Sequence, residues 1–413
     1  MQTFTVIFLF FLLASTLVQL WLSLRQKQHV SQHRAAVPEA FTGKITLAEH
    51  QKAADYTLEK GSFGRIELML GFVILLVWTL GGGLNWLDQL WRGFEWGPLW
   101  TGTAVILSLT LISGLIDLPA SLYRTFVLEE KFGFNKMTLK TLVVDTLKGA
   151  ALGVVIGVPL IMFILWLMES AGTYWWLYAW VGLTGFSLLM TWAYPKFISP
   201  LFNKFKPLEE GEVADRVNGL LERTGFNSKG VFVMDGSKRS GHGNAYFTGF
   251  GKNKRIVFFD TLLEHLTPAQ VEAVLAHELG HFKRKHIVKG MALSIAMTFA
   301  GFAVLAWLMQ QEWFYTGLGV SQSSTYMALI LFMVASPVFT FFIGPLMSRL
   351  SRKHEFEADE FAAQQSSASE LIAALVGLYK ENASTLTPDP LHSAFYDSHP
   401  PAAIRIAHLQ EQN

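Results

Sequence analysis

The chain of 413 residues contains no cysteine, so no disulfide braces it and no thiolate can ligate a metal. Any metal it holds rests on histidine and carboxylate. Charge is scarce as well. Asp, Glu, Lys and Arg make up 16% of the residues and the formal net charge is +1, which offers nothing to a nucleic-acid partner. There is no internal repeat, low-complexity tract or heptad array. Nor is there a phosphate loop: Gly81-Gly82-Gly83 falls inside an apolar stretch, where helix crowding or a kink accounts for it, and Gly249-Phe250-Gly251 reads as a turn. The terminal Leu-Gln-Glu-Gln-Asn carries no lipidation box.

Apolar surface is what the chain has in excess. Half of it is hydrophobic, with 33 Phe and 13 Trp, too apolar for an ordinary soluble enzyme of this length. Seven stretches reach the roughly 20 residues that cross a bilayer as a helix. They are Phe4–Leu24, Glu67–Trp86, Leu99–Ala120, Gly149–Met168, Tyr174–Tyr194, Ile287–Met309 and Tyr326–Met347. The first lacks a positive flank and an early cleavage site, so it is expected to be a retained span rather than a signal peptide. Lys and Arg crowd alternate connections, and Arg92 alone falls in the others. The positive-inside rule therefore puts the N-terminus away from the cytoplasm and the C-terminus in it, a parity that seven spans satisfy. On that side Asn382-Ala383-Ser384 is not expected to be glycosylated.

The expected organisation is membrane helices with their connections over 1–194, a soluble insertion over 195–286, two further spans over 287–347 and a soluble tail over 348–413. Within the insertion, Val213, Val217, Leu220 and Leu221 mark an amphipathic helix closed by Gly225, and Val231–Met234 a strand. Asn244–Phe250 and Arg255–Asp260 read as a hairpin. Its exposed edge could align an extended peptide, or the hairpin could be packing alone.

The chemistry sits in Ala276-His277-Glu278-Leu279-Gly280-His281. Thr267, Pro268 and Gln270 form the start of a helix as N-cap, first turn and capping box. On that helix His277 and His281 lie one turn apart and can grip one zinc ion. Glu278 then stands beside the ion, placed to take a proton from water. Further on, Glu355 and Asp359 share a helical face at i and i+4. That spacing suits one carboxylate on the ion and another bracing a ligand histidine, while His354 and Glu357 are the competing ligands and point elsewhere. Two His and one Glu with a fourth position open make a hydrolytic site rather than a structural one.

Six segments together resemble the type I CAAX prenyl endopeptidases, the a-factor-converting group of integral-membrane zinc metallopeptidases. They are Thr125–Lys136, Pro200–Phe205, Asn244–Phe250, His277–His281, Glu355–Asp359, and Ser398-His399-Pro400-Pro401 followed by Arg405-Ile406, in the family's order. The resemblance implies one zinc per chain on His277, His281 and Glu355, with Glu278 as catalytic base and Asp359 as brace. It implies that Asn244, Ala245 and Tyr246 lie along the substrate and that His399 and Arg405 approach the zinc, His399 as a donor to the oxyanion. Without the family, His399 reads as a turn residue. His242, His265, His286 and His392 are left as surface or packing residues. The implied fold class is an α-helical membrane protein whose seven helices enclose a large chamber, capped by an α+β zinc-peptidase domain on the cytoplasmic side.

The expected function is hydrolysis of peptide bonds of the CAAX prenyl protease type, on a peptide or protein substrate that can be prenylated, in contact with membrane lipid. The compact chain, without long insertions, favours a bacterial inner membrane over the endoplasmic reticulum. There the alternative is quality control of misfolded membrane proteins, as in the related HtpX-type proteases. A non-catalytic zinc-binding scaffold or a transporter is the reading from another class. Glu278 speaks against the scaffold, and the scarcity of charge within the spans against the transporter.

Overall fold

Long apolar runs become long helices. The computed structural model describes residues 2–248 and 254–412. The membrane part opens with α1 (Thr3–His33), α2 (Leu47–Trp78), α3 (Gly83–Arg92), α4 (Pro98–Tyr123), α5 (Leu139–Leu152), α6 (Val158–Ser170), α7 (Trp175–Ala193) and the short α8 (Ser199–Phe202). A mixed segment follows: β1 (Phe205–Pro207), α9 (Glu212–Thr224), β2 (Val231–Met234), β3 (Ala245–Thr248), β4 (Arg255–Phe259), α10 (Asp260–His265) and α11 (Pro268–Lys283). The chain ends with α12 (His286–Leu308), α13 (Glu312–Gly317), α14 (Thr325–Thr340), α15 (Gly344–Gln365), α16 (Ala368–Glu381), α17 (Pro390–Tyr396) and α18 (Ala402–Gln410).

Among the described residues six helical segments are long and apolar enough to cross a membrane: Thr3–His33, Leu47–Trp78, Pro98–Glu129, Leu139–Ser170, His286–Leu308 and Thr325–Gln365. The remaining expected span forms α7, a helix of 19 residues outside that set. Trp175, Trp176, Tyr178, Trp180 and Trp192 dilute its apolar character with ring N–H and O–H groups.

Two expected boundaries are corrected. The second stretch does not continue to Trp86, because α2 stops at Trp78 and the glycine triplet makes a turn rather than a kink within a span. Gly82 adopts a left-handed conformation (φ 80°), and a Cβ on Gly81 would fall 2.8 Å from the Val77 carbonyl oxygen. The fourth stretch begins earlier than Gly149, since α5 and α6 form one segment over Leu139–Ser170. Their junction is a π-turn over Gly153–Gly157, widened where the ring of Pro159 displaces the Val155 carbonyl.

Two large cores and a small third one, Tyr56 with Leu128, Phe134 and Ala383, hold these helices. At one end of the bundle, Phe8 and Leu12 of α1 pack with Leu84, Val105, Leu165 and Tyr326. At the other end, α9, the sheet, α11, α16 and α18 bury Phe258, Val271, Leu275, Leu371 and Ile406. The second core also takes Phe41 and Ile45 from the first connection, which the sequence had marked only by its positive charge. Between the cores the helices leave apolar side chains uncovered, among them Leu111 and Leu115 of α4 and Val143, Leu147 and Val155 of the α5–α6 segment.

The sheet runs β1-β2-β4-β3, with β2 and β4 parallel and the other pairs antiparallel. The expected hairpin forms as β3 against β4, Ala245 opposite Phe258 and Thr248 opposite Arg255. Its tip, including Gly249-Phe250-Gly251, lies outside the described residues. β3 is an edge strand. β1 was not expected from the sequence, since three residues ending in proline give no alternating pattern to read.

The first core contains one especially tight contact. A Cβ on Gly102 would lie 2.6 Å from Tyr326 Cβ, and the Tyr326 hydroxyl donates to Asp88 at 2.5 Å. Gly102→Ala is expected to lower stability by about 1–3 kcal/mol through overpacking, read as a lower Tm in detergent. Gly114→Ala, which meets nothing within 4 Å, is the control. Equal shifts for the two would contradict this packing.

Candidate metal centre

α11 begins as its sequence dictates. Thr267 accepts from the Gln270 N–H at 3.3 Å, the Gln270 side chain accepts from the Thr267 N–H at 3.1 Å, and Pro268 occupies the first turn. Val271, Leu275 and Leu279 are buried against the second core, which fixes the direction in which His277 and His281 project. α15 passes across this helix at closest approach where Gly280 meets Ala358. A Cβ on Gly280 would sit 2.9 Å from Ala358 Cα and 3.0 Å from its carbonyl oxygen. Only glycine permits that approach. Because the backbones come this close, Glu355, three residues before Ala358, reaches both imidazoles.

The contacts are short and mutual. His277 Nε2 lies 3.3 Å from His281 Nε2 and 3.4 Å from Glu355 Oε2, and His281 Nε2 lies 3.2 Å from Glu355 Oε1. A tetrahedral zinc with bonds of about 2.0–2.1 Å separates its ligand atoms by roughly 3.3 Å, so the three donors are spaced as that ion requires. Glu355 is buried, and its Oε2 has no hydrogen-bond partner, a costly state that a cation relieves. His277, His281 and Glu355 form the one such cluster found among the described residues, and no fourth His, Asp or Glu joins it. A three-donor set of N and O atoms with a side left free suits a catalytic zinc.

Around the cluster lies a bracing layer. Asp359 is fully buried, 2.8 Å from His277 Nδ1, and accepts from Arg405 Nε at 2.8 Å and Nη2 at 2.5 Å. Arg405, also buried, extends to 3.6 Å from Glu355 Oε2. Burial and the Arg405 guanidinium press the His277 pKa down, yet the adjacent Asp359 and Glu355 carboxylates outweigh them and lift it to about 9. A cation entering the cluster therefore displaces a proton.

His281 has a brace of its own, which the sequence reading did not identify. Its Nδ1 lies 3.1 Å from His286 Nδ1, and His286 Nε2 lies 2.9 Å from Glu357 Oε2. His354 stacks on the His286 ring with centroids 3.9 Å apart. His286 was expected as a packing residue, and His354 and Glu357 were weighed as ligands; all three lie behind the cluster instead. The i, i+5 spacing of His281 and His286 follows no helical pattern because α11 ends between them. Lys285, left-handed at φ 58°, redirects the chain into α12.

The other expected site residues lie nearby. Glu278 is half-buried on α11 beside His277. His399 is largely exposed and sits 3.4 Å from Glu355 Oε1. Ala245 and Tyr246 lie on the edge strand β3, and Asn244 precedes it. His242 stacks on Phe134 and its Nδ1 is 3.2 Å from the Asn382 side-chain oxygen. His265 pairs with Glu381 at 3.8 Å, and His392 lines a cavity against α1 and α2.

A helix carrying two histidines, a glutamate from a second helix and several long apolar segments together define a membrane metallopeptidase. Comparison with known proteins specifies it further. Residues 26–204 match the model for the CAAX prenyl protease N-terminal region, described as five membrane helices, and residues 207–413 match peptidase family M48. The CAAX prenyl protease 1 homolog of Homo sapiens is 34% identical, with 97% of this chain and 94% of that one aligned. The homolog of Oryza sativa subsp. japonica is 33% identical over 92% of this chain and 93% of its own length. CAAX prenyl protease 1 of Saccharomyces cerevisiae reaches 38% over 73% and 70%. The crystal structure of S. mikatae Ste24p superposes with a TM-score of 0.92 at 32% identity, covering 99% of both chains. The chain belongs to the CAAX prenyl protease 1 family of M48 peptidases. It is a multi-pass membrane protein and a zinc metallopeptidase, hydrolysing peptide bonds.

Two outcomes are expected from this packing. His286→Ala removes the support of His281 and should weaken zinc affinity about 10–100-fold, measured by competition with a chelator. Gly280→Val drives α11 and α15 apart, and the purified protein should carry well below one equivalent of zinc by elemental analysis. Full zinc occupancy in that variant would contradict the crossing.

Proposed function

We propose that His277, His281 and Glu355 hold one zinc ion per chain and that the centre cuts peptides close to their C-termini. The relatives' names point to CAAX-terminated proteins as the substrate class. The observation that carries this reading is the three-donor cluster: two imidazoles and one carboxylate at ion-ligand spacing, with one side free. Zinc bound there would supply Lewis acidity, making a water acidic near neutral pH and polarising a carbonyl.

The chain's own groups do the rest. Glu278 takes the proton of the attacking water and hands it to the departing amine. His399 donates to the oxygen on which negative charge develops. Asp359, held by Arg405, keeps His277 oriented with its Nε2 toward the ion. Asn244, Ala245 and Tyr246 present the unpaired edge of the sheet, against which an extended peptide lies by main-chain hydrogen bonds.

The membrane architecture in this reading is seven helices, α7 included, enclosing a chamber capped by the peptidase domain. Support comes from the separation of the two large cores and from the apolar side chains that α4 to α6 leave uncovered. In this reading the chain divides at 1–194, 195–286, 287–347 and 348–413, the last boundary lying within α15. The peptidase domain and C-terminus face the cytoplasm by the positive-inside rule. Compactness does not separate a bacterial inner membrane from a eukaryotic one, since the Arabidopsis thaliana relative aligns with 96% of this chain over 407 positions and is equally free of long insertions.

Glu278→Gln is expected to retain stoichiometric zinc while hydrolysis of a fluorogenic peptide falls at least about a hundredfold, the scale of general-base catalysis. Glu355→Ala should lose both metal and activity. A Glu278→Gln protein that hydrolyses at the normal rate would remove Glu278 from the base's role.

A further inference from the structure

His399 stands in the open. Its side chain is 62% exposed, so packing does not fix the ring that lies 3.4 Å from Glu355 Oε1. Its place is imposed by the chain on either side. Downstream, Pro400-Pro401 lead into α18, whose Arg405 is tied to Asp359 by two hydrogen bonds.

Upstream the anchor is Arg352. This half-buried residue of α15 lies three positions before Glu355, close to one helical turn. Its Nη1 donates to the Ser393 carbonyl at 3.1 Å, the Ala394 carbonyl at 3.2 Å and the Asp397 carbonyl at 2.9 Å. These oxygens lie at the end of α17 and just beyond it, where a helix leaves acceptors without an internal donor. Ser348, a further turn back on α15, donates from Oγ to the Phe395 carbonyl at 3.1 Å. The start of α17 is held as well. Asp389 accepts from the Leu391 and His392 N–H groups at 3.1 and 2.9 Å, and Arg25 of α1 grips both oxygens of that carboxylate. Only Ser398 stands between the anchored Asp397 and His399, and its Oγ lies 2.9 Å from His399 Nδ1.

Ser348, Arg352, Glu355 and Asp359 thus share one face of α15, and in that order they meet Phe395, Asp397, His399 and Arg405. The helix that supplies the carboxylate of the cluster is also the rail along which the His399 segment is laid. We propose that Arg352 is a positioning residue for hydrolysis: by holding the end of α17 it keeps the His399 ring beside the cluster, without itself touching metal or substrate. The inference rests on the role given to His399 above. Loss of such an anchor costs rate rather than metal or affinity, because a ring misplaced by about 1 Å no longer meets the developing charge.

The test is a double-mutant cycle on kcat, run with the full-length zinc-loaded protein in detergent and a fluorogenic peptide. His399→Ala alone is expected to lower kcat about a hundredfold or more, the scale of one lost oxyanion donor. Arg352→Ala alone should lower it at least about tenfold, with KM changed less than about twofold and zinc retained. In the His399→Ala background the same substitution should cost less than about a further twofold, since the ring it places is gone. Arg352→Lys keeps a cation and N–H donors and should recover part of the loss; if the alanine variant does not fold, the lysine variant takes its place in the cycle. Arg349→Gln, at an exposed position of α15, should leave kcat unchanged. A loss by the same factor with and without His399, or one that shows as missing zinc or a raised KM, overturns the proposal. So does a normal kcat for Arg352→Ala. A normal kcat for His399→Ala would instead overturn the role of His399 itself, and the positioning role with it.

Discussion

The constraint on which the rest depends is the closeness of α11 and α15 at Gly280 and Ala358. Two imidazoles from one helix are easily arranged, since a single turn puts them together. The carboxylate has to come from more than seventy residues away, and its helix must lie within contact distance at the right height. A missing Cβ on one helix and a methyl side chain on the other achieve this. Asp359 and Arg405 then lock the crossing from the buried side by charge-assisted hydrogen bonds. Replacing either partner alone would leave the other charged and buried, which is why the pair acts as a brace rather than as ornament.

The two imidazoles are treated differently by their surroundings. His277 is buried and backed by a carboxylate that is itself held by an arginine. His281, more exposed, is backed through a second imidazole and then Glu357. Both arrangements end in a carboxylate, and both fix a ring through the nitrogen that does not face the cluster. In the proposed reading Glu278 and the exposed His399, which lies 3.4 Å from Glu355 Oε1, act on the reacting groups while these partners hold the rings.

Much of this was legible in the sequence, for physical reasons that can be named. The capping box at Thr267 and Gln270 and the one-turn spacing of His277 and His281 are local, and local geometry follows from 3.6 residues per turn. Glu355 and Asp359 were legible as a pair on one face, and the assignment of Glu355 to the cluster came through the family resemblance. What escaped was nonlocal or broke a period. His286 follows a left-handed residue that ends one helix and begins another, so no periodicity links it to His281. Phe41 and Ile45 join the peptidase core from a connection whose charge drew attention away from its two apolar residues. The end of α2 was misjudged because hydropathy continues through Gly81-Gly82-Gly83 while the backbone does not.

Only Arg284 and Lys285 separate α11 from the membrane helix α12, and a single tightened helical turn over Phe341–Ile343 carries α14 on into α15. Each arm of the centre is thus the stiff extension of a different span, with no slack between. In the proposed reading the bilayer works as a gauge for such a device: the two spans fix the level at which the donors meet. A polypeptide tethered in the lipid arrives at that level without a search, whereas one free in solution must find it by diffusion.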